Sequence, residues 1–319
     1  MRDPRDTGRA VPRSARSGSV LVALGAALWG TGGVAGTIVA ADSAMSWPAI
    51  SALRLLGGGI VMLAVTAAMG GLRRVPRSRE ALGHVLLTAV LTGVYGTAYF
   101  ESVSLVGVAV STVISLGVAP VAVAVATALH ERRPPRATVV LALATAVVGL
   151  LLVSEVSGSE PGAGSASVSG AGVAVGSSNT VGVLLALVAG LAFAGTSIVN
   201  RRVIPGLGPS TLIAVSFTLA GVLSAVFALC TGFHLASAGP SAWGGVAFLA
   251  LVQTVLGYLA FYGGLQRGVA ATTAAVLSLV EPLVATVLSV VVLHEPLTVA
   301  GVVGIVLLLV AVVLVRPPR

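Results

Sequence analysis

Lysine is absent from this 319-residue chain, and charge of either sign is scarce. Only 9% of the residues are charged, against about 25% in soluble domains. Such a chain cannot clothe a water-soluble fold in polar groups. Without lysine there is no Gly-x-x-x-x-Gly-Lys loop, which excludes that route to ATP use. Cysteine occurs once, at Cys230, so an intramolecular disulfide and a cysteine-built metal centre are excluded. Cys230 reads as a small apolar packing residue. No Gly-x-Ser-x-Gly or His-Glu-x-x-His pattern occurs, and the histidines are placed outside the apolar spans, so an intramembrane enzyme is not expected.

What the chain has instead is apolar length. Hydrophobic residues make up 56% of it, and the mean hydropathy is +1.06. A bilayer core about 30 Å thick needs about 20 helical residues to cross. Ten apolar spans of roughly that length are expected, at 19–40, 48–70, 81–104, 107–129, 136–153, 180–199, 209–230, 242–263, 268–293 and 297–315. They are apolar all round, unlike the alternating strands of a membrane barrel. The expected fold class is therefore an all-α integral membrane protein. The first span is read as a retained helix, because its apolar run exceeds the 7–15 residues usual in a signal peptide.

The net charge of +8 comes from 18 arginines, and their placement is a topology signal. Residues 1–18 hold Arg2, Arg5, Arg9, Arg13 and Arg16. The loop after span two holds Arg73, Arg74, Arg77 and Arg79, and the loop after span four Arg132, Arg133 and Arg136. Arg201 and Arg202 follow span six, Arg267 follows span eight, and Arg316 and Arg319 lie in the tail. The loops after spans one, three, five, seven and nine contain none. Arginine concentrates in cytoplasmic loops, so both termini are expected in the cytoplasm of a bacterial cell. Trp47 and Trp243 fall where an aromatic belt would sit at the outer boundary.

Residues 154–179, rich in Gly, Ser and Ala, read as a flexible external linker between two five-span units, 19–153 and 180–315. The units resemble each other. Gly107-Val108-Ala109 opens span four and Gly268-Val269-Ala270 opens span nine. Each is followed by a mid-helix proline, Pro120 or Pro282, and then by Leu129-His130-Glu131 or Leu293-His294-Glu295. Five is odd, so the two units enter the membrane from opposite sides. Inverted repeats generate two related shapes, each open to one side, which is the basis of alternating access.

These residues resemble the drug/metabolite transporter superfamily, in its ten-helix EamA-like branch. The resemblance rests on Ala27-Leu28-Trp29-Gly30-Thr31, on Arg54 within its span, on Pro120 with Leu129-His130-Glu131, and on Leu279-Val280-Glu281-Pro282-Leu283 with the closing Leu-His-Glu. It implies secondary transport of small metabolites or drugs, often export, without ATP. The second half departs from symmetry: Phe193 stands where the tryptophan would repeat, Val215 stands near the counterpart of Arg54, and Pro120 lacks a preceding glutamate.

Glu281 is the sharpest candidate for coupling. It lies about 13 residues into its span, near the midplane at about 1.5 Å per residue. A carboxylate there costs at least roughly 2.5 kcal/mol and faces a cavity or a partner. Pro282 should free the carbonyl of Ser278 for substrate, ion or water. Arg54 is expected to snorkel to the interface, to neutralise Glu101 or Glu281, or to hold a substrate carboxylate. Tyr95 and Tyr99 share a helix face, as do Tyr258 and Tyr262, and with Trp29 and Gln253 they are candidates to line a cavity. Glu131 and Glu295, like Pro120 and Pro282, are candidates for gating or structure. Gly32 with Gly36, and the run Gly57–Gly59, suit close helix approach. Expected partners are the lipid bilayer, a small-molecule substrate and a second copy of the chain. No nucleic acid, metal or cofactor is expected, apart from proton coupling. The alternative is a membrane-embedded sensor or accessory subunit without transport activity.

Overall fold

The computed structural model describes residues 13–154, 177–231, 238–292 and 298–314, apart from 33, 34, 37, 38, 40, 41, 44, 75, 133 and 136. Glu295, most of the N-terminal tail, the linker and the C-terminal tail lie outside the described residues.

Ten helices run through the described residues. They are α1 (Arg13–Gly30), α2 (Trp47–Ala68), α3 (Arg79–Gly107), α4 (Val110–Glu131), α5 (Ala137–Ser154), α6 (Ser177–Val199), α7 (Pro209–Thr231), α8 (Pro240–Gln266), α9 (Ala271–Val292) and α10 (Val299–Leu314). Seven of them, α2–α4 and α6–α9, are long and apolar enough to cross a bilayer, and α5 and α10 are shorter apolar helices. No strand occurs among the described residues, only an isolated bridge between Ile204 and Leu207. Valines and leucines such as Val61, Val65, Leu86, Val222 and Leu229 stand exposed on the outer faces. In water that would be an aggregation surface; for spans of this length it is the face lipid covers. Cys230 is exposed on α7, so the expectation of an interior packing role is corrected.

The packing keeps its pattern when α1–α5 and α6–α10 are exchanged. Helix α2 packs on α7, and α5 on α10. Helix α1 packs on α8 and α9, and correspondingly α6 packs on the α3–α4 hairpin. Lipid tails are as apolar as leucine, so helices in a bilayer associate through close packing of small residues. The α1–α8 seam shows this. Gly18 meets Gly264, and seven residues further Gly25 meets Gly257, with no room for a Cβ at any of the four. Gly59 and Gly221 do the same at the α2–α7 crossing, one against the backbone of Thr218, the other against that of Leu56. Both hairpin joints of the repeat, Gly107 and Gly268, adopt positive φ, 82° and 87°. Glycine takes that conformation without Cβ strain, which accounts for the glycine that opens each Gly-Val-Ala sequence.

The loops sort into two ends. Arg201 donates from Nε to the carbonyl of Val269 at 3.0 Å, Arg202 pairs with Glu80 at 2.5 Å, and Gly18 packs on Arg267 and Val269. The start of α1 and the arginine-bearing segments before α3, after α6 and after α8 thus gather at one end. At the other end Asp42, after α1, meets the start of α8. It accepts hydrogen bonds from the Ser241 hydroxyl and from the Ala242 N–H (3.3 Å), and its carbonyl accepts from Gly239 N–H at 3.1 Å.

Two helices are irregular at mid-depth. The middle of α8 is π-helical over Leu249–Leu256, a winding that is rare overall and frequent at functional sites. Helix α9 breaks between Leu277 and Val280. There Glu281 N–H bonds to Ser278 O at 3.0 Å and Leu279 N–H to Val276 O at 3.0 Å. The carbonyl that Pro282 releases is thus taken up by a tighter turn, which corrects the expectation that it stands free for substrate.

Candidate functional site

The site begins where α1, α2 and α8 cross. Gln253 lies inside the π-helical stretch of α8. Its backbone carbonyl accepts the Trp29 indole N–H at 3.0 Å, and its side-chain amide donates to the Trp29 carbonyl at 3.0 Å. The remaining amide oxygen, Oε1, accepts from Arg54 Nη1 at 3.0 Å. Gly32 packs directly on the Gln253 amide, where a Cβ would displace it. Gly36 meets nothing within 4 Å, so the close approach is made by Gly32 alone.

Arg54 is only 5% exposed. The expectation that it snorkels to the interface is therefore corrected: it is held inside, by Gln253 and by the face of Phe100, whose centroid is 5.3 Å from the guanidinium carbon. Its Nε is buried and has no protein partner. A guanidinium has five donors in a fixed fork, so this one keeps unused hydrogen-bonding capacity at mid-depth. Direct pairing with Glu101 or Glu281 does not occur, since Arg202 and Glu80 form the one ion pair among the described residues.

Around these three residues stands an aromatic wall. Trp29 lies 4.8 Å from Tyr258, 4.9 Å from Phe261 and 5.7 Å from Phe193. Phe193 extends the wall to Tyr95 at 5.5 Å, and Tyr95 stacks on Tyr99 at 6.0 Å. Tyr99 closes the circuit edge-on to Phe100 at 5.5 Å. Its hydroxyl shares a 2.7 Å hydrogen bond with Thr112, tying α3 to α4.

Glu281 reaches the cluster through its backbone. Its carbonyl lies against Gly30, the neighbour of Trp29, with no space for a Cβ between them. Its side chain is partly buried and shares an electrostatic field with Arg54, Tyr95, Tyr99 and Tyr258. Pro282 beside it is buried, as is Pro120 in the middle of α4. Glu131 is exposed at the end of α4, next to Arg132 in the left-handed conformation. A pocket of about 450 Å³, lined by Thr31, Ala35, Phe248, Leu288 and others, adjoins the cluster toward the arginine-free end.

The polar groups of the cluster are not repeated when the two units are exchanged. Where the first repeat supplies Trp29 and Arg54, the second supplies Phe193 and Val215, both packed in the core. Gly195 meets Leu91 much as Gly32 meets Gln253. Sequence reasoning missed Phe100, Phe193 and Phe261 as wall residues. It also missed a second buried polar group toward the arginine-bearing end, made of Thr88, Thr92, Thr196 and Asn200. His84 lies inside α3 and is nearly buried, correcting the placement of every histidine outside the spans; its spacing of four from Thr88 and eight from Thr92 was the available signal.

A membrane bundle of two five-helix repeats around a buried arginine and an aromatic wall belongs to the class of multi-pass transporters. Comparison with known proteins assigns the family: residues 16–155 and 180–316 each match the EamA-like transporter family, and the chain belongs to it. It is 30% identical over 301 residues to the uncharacterized transporter YwfM of Bacillus subtilis (strain 168), covering 93% of each chain. A protein of known crystal structure shares the fold with a TM-score of 0.76 over 94% of this chain and 96% of its own, at 19% identity.

Proposed function

We propose that this protein is a secondary carrier of the bacterial cell membrane that exports small metabolites or drugs by alternating access, with both termini on the cytoplasmic, arginine-bearing side. The observation that supports it is the convergence of Arg54, Gln253 and Trp29, from three helices and both repeats, at mid-depth. A group at the interface of two pseudo-symmetric units is exposed to either side as those units rock.

In this reading the unused donors of Arg54 receive a polar or anionic group of the substrate. Trp29, Tyr258, Tyr95 and Tyr99 supply the apolar walls that most small-molecule sites have. Glu281, in the field of Arg54, takes up and releases a proton in step with substrate. The experiment is flux of a radiolabelled metabolite panel in proteoliposomes, in both directions, with and without a pH gradient. Glu281→Gln is expected to insert normally and to lose gradient-driven flux. Full retention of that flux overturns the coupling role, and no flux of any panel member in the wild type overturns the carrier reading.

A further inference from the structure

Between the aromatic wall and the arginine-bearing end lies a polar seam with no part in the site described above. On α3, His84, Thr88 and Thr92 recur every four residues and continue the face of Tyr95 and Tyr99, so one side of the helix is polar from its first turns to mid-depth. Thr88 is 0% and Thr92 1% exposed. Asn200, fully buried at the end of α6, accepts the Thr88 hydroxyl on Oδ1 at 2.9 Å and faces His84. Tyr262, one turn along α8 from Tyr258, turns its hydroxyl toward Thr92, Thr196 and Asn200.

Three buried atoms of this seam lie near one another but form no well-aligned hydrogen bond: Thr92 Oγ1, Asn200 Nδ2 and Tyr262 Oη. Buried polar groups are nearly always hydrogen-bonded, to protein or to ordered water. A buried water makes two to four such bonds, and here a donor-only amide nitrogen and two hydroxyls converge. At the outer end of the seam a pocket of about 300 Å³ opens, lined by Glu80, His84, Arg202 and apolar neighbours. At the inner end Tyr262 adjoins Tyr258, 5.5 Å between ring centroids, and Tyr258 is part of the wall around Trp29.

We propose that His84, Thr88, Thr92, Asn200 and Tyr262 form a hydrated passage, taking a file of water molecules, that joins the arginine-end pocket to the aromatic chamber. Its purpose rests on the carrier reading, since it would be the chamber's aqueous connection to one side. Its existence does not. A packed, dry polar seam would serve only to tie α3, α6 and α8 together.

The chain has a single cysteine, Cys230, which makes the test direct. In a Cys230→Ser background, Thr92→Cys and Asn200→Cys are exposed to silver ion, whose size suits a water file, in vesicles with the arginine-bearing end accessible. The thiols left unblocked are then counted with a maleimide after unfolding. Val90→Cys, on the exposed face of α3, is the lipid-facing control. Silver is expected to block both seam positions at least tenfold faster than the control, and faster from the arginine-bearing end than from the other. Rates equal to the control, or faster blocking from the opposite end, overturn the passage. Thr88→Cys replaces either variant that does not fold. No transport substrate is used, so a reactive seam in a protein without flux would refute the carrier while keeping the passage, and flux with an unreactive seam would do the reverse.

Discussion

Arg54 and Gln253 are 199 residues apart and 3.0 Å from one another, a guanidinium nitrogen donating to an amide oxygen across the interface of the two repeats. A hydrogen bond to a charged group contributes about 1.5–3 kcal/mol, and in this place it also aims the arginine. Gln253→Leu would leave the buried guanidinium with Phe100 alone and would cut the amide bond to the Trp29 carbonyl, while the indole N–H keeps its backbone acceptor. We expect a loss of about 2–4 kcal/mol in apparent stability and a fall in flux of at least tenfold. Thermal unfolding in detergent and proteoliposome flux measure the two. Arg54→Gln combined with Gln253→Leu should cost less than the sum of the single changes, because directly bonded residues couple by about 0.5–3 kcal/mol. Additive costs would mean that the bond carries no weight.

Gly59 and Gly221 occupy corresponding places on α2 and α7, each facing main-chain atoms of the other helix. Backbone cannot swing aside as a side chain does. Gly59→Val and Gly221→Val should therefore each destabilise by about 1–3 kcal/mol or more, the usual range for overpacking, and by similar amounts, since the contacts are related by exchange of repeats. Gly244→Ala on α8, with nothing within 4 Å, should be neutral or slightly stabilising. Melting temperatures of the three variants decide this, and a Gly59→Val protein as stable as Gly244→Ala would refute the close crossing.

The arginine pattern made the ends of the bundle legible, because charge sidedness is written one loop at a time. The Gly-Val-Ala pairs made the hairpin joints legible, because positive φ restricts the residue type locally. Trp29, Arg54, Gln253 and Tyr258 stood out as polar or amphipathic groups in apolar runs. Their mutual bonding did not stand out, since it depends on a crossing of helices distant in sequence. Phe193 is the sharpest example. In the sequence it is a broken repeat of tryptophan; in the fold it is the ring that joins Trp29 to Tyr95. The π-helical turn around Gln253 left no sequence mark, and neither did the uptake of the Ser278 carbonyl by Glu281.

Asp42 fastens the loop after α1 to the first turn of α8 at the arginine-free end. The Ser241 hydroxyl and the Ala242 N–H beside it hold its carboxyl below the usual aspartate range, and a helix N-terminus favours negative charge. A carboxylate depressed in the folded state adds stability that is present above its unfolded value and lost as pH falls through its folded value. The melting temperature of the wild type should therefore exceed that of Asp42→Asn by a constant margin from pH 8 to about 5. The margin should shrink below pH about 4. A margin that widens on acidification would show that the carboxylate is not the stabilising form.

Gly107 and Gly268 give the repeat its most local test. Both hold positive φ, 82° and 87°, with no atom within 4 Å of where a Cβ would stand. Any penalty for a side chain is thus conformational, and a left-handed conformation costs an L-residue about 1–2 kcal/mol. Gly83 supplies the contrast: it is also free of neighbours within 4 Å, but it sits inside α3 without positive φ. There alanine should stabilise by about 0.5–1 kcal/mol, because glycine loses more freedom in a helix. Gly107→Ala and Gly268→Ala should both lower the melting temperature, by comparable amounts, while Gly83→Ala raises it. If only one of the two joints responds, the hairpins are not equivalent, and the exchange of repeats on which the proposed alternating access rests would fail at its most local correspondence.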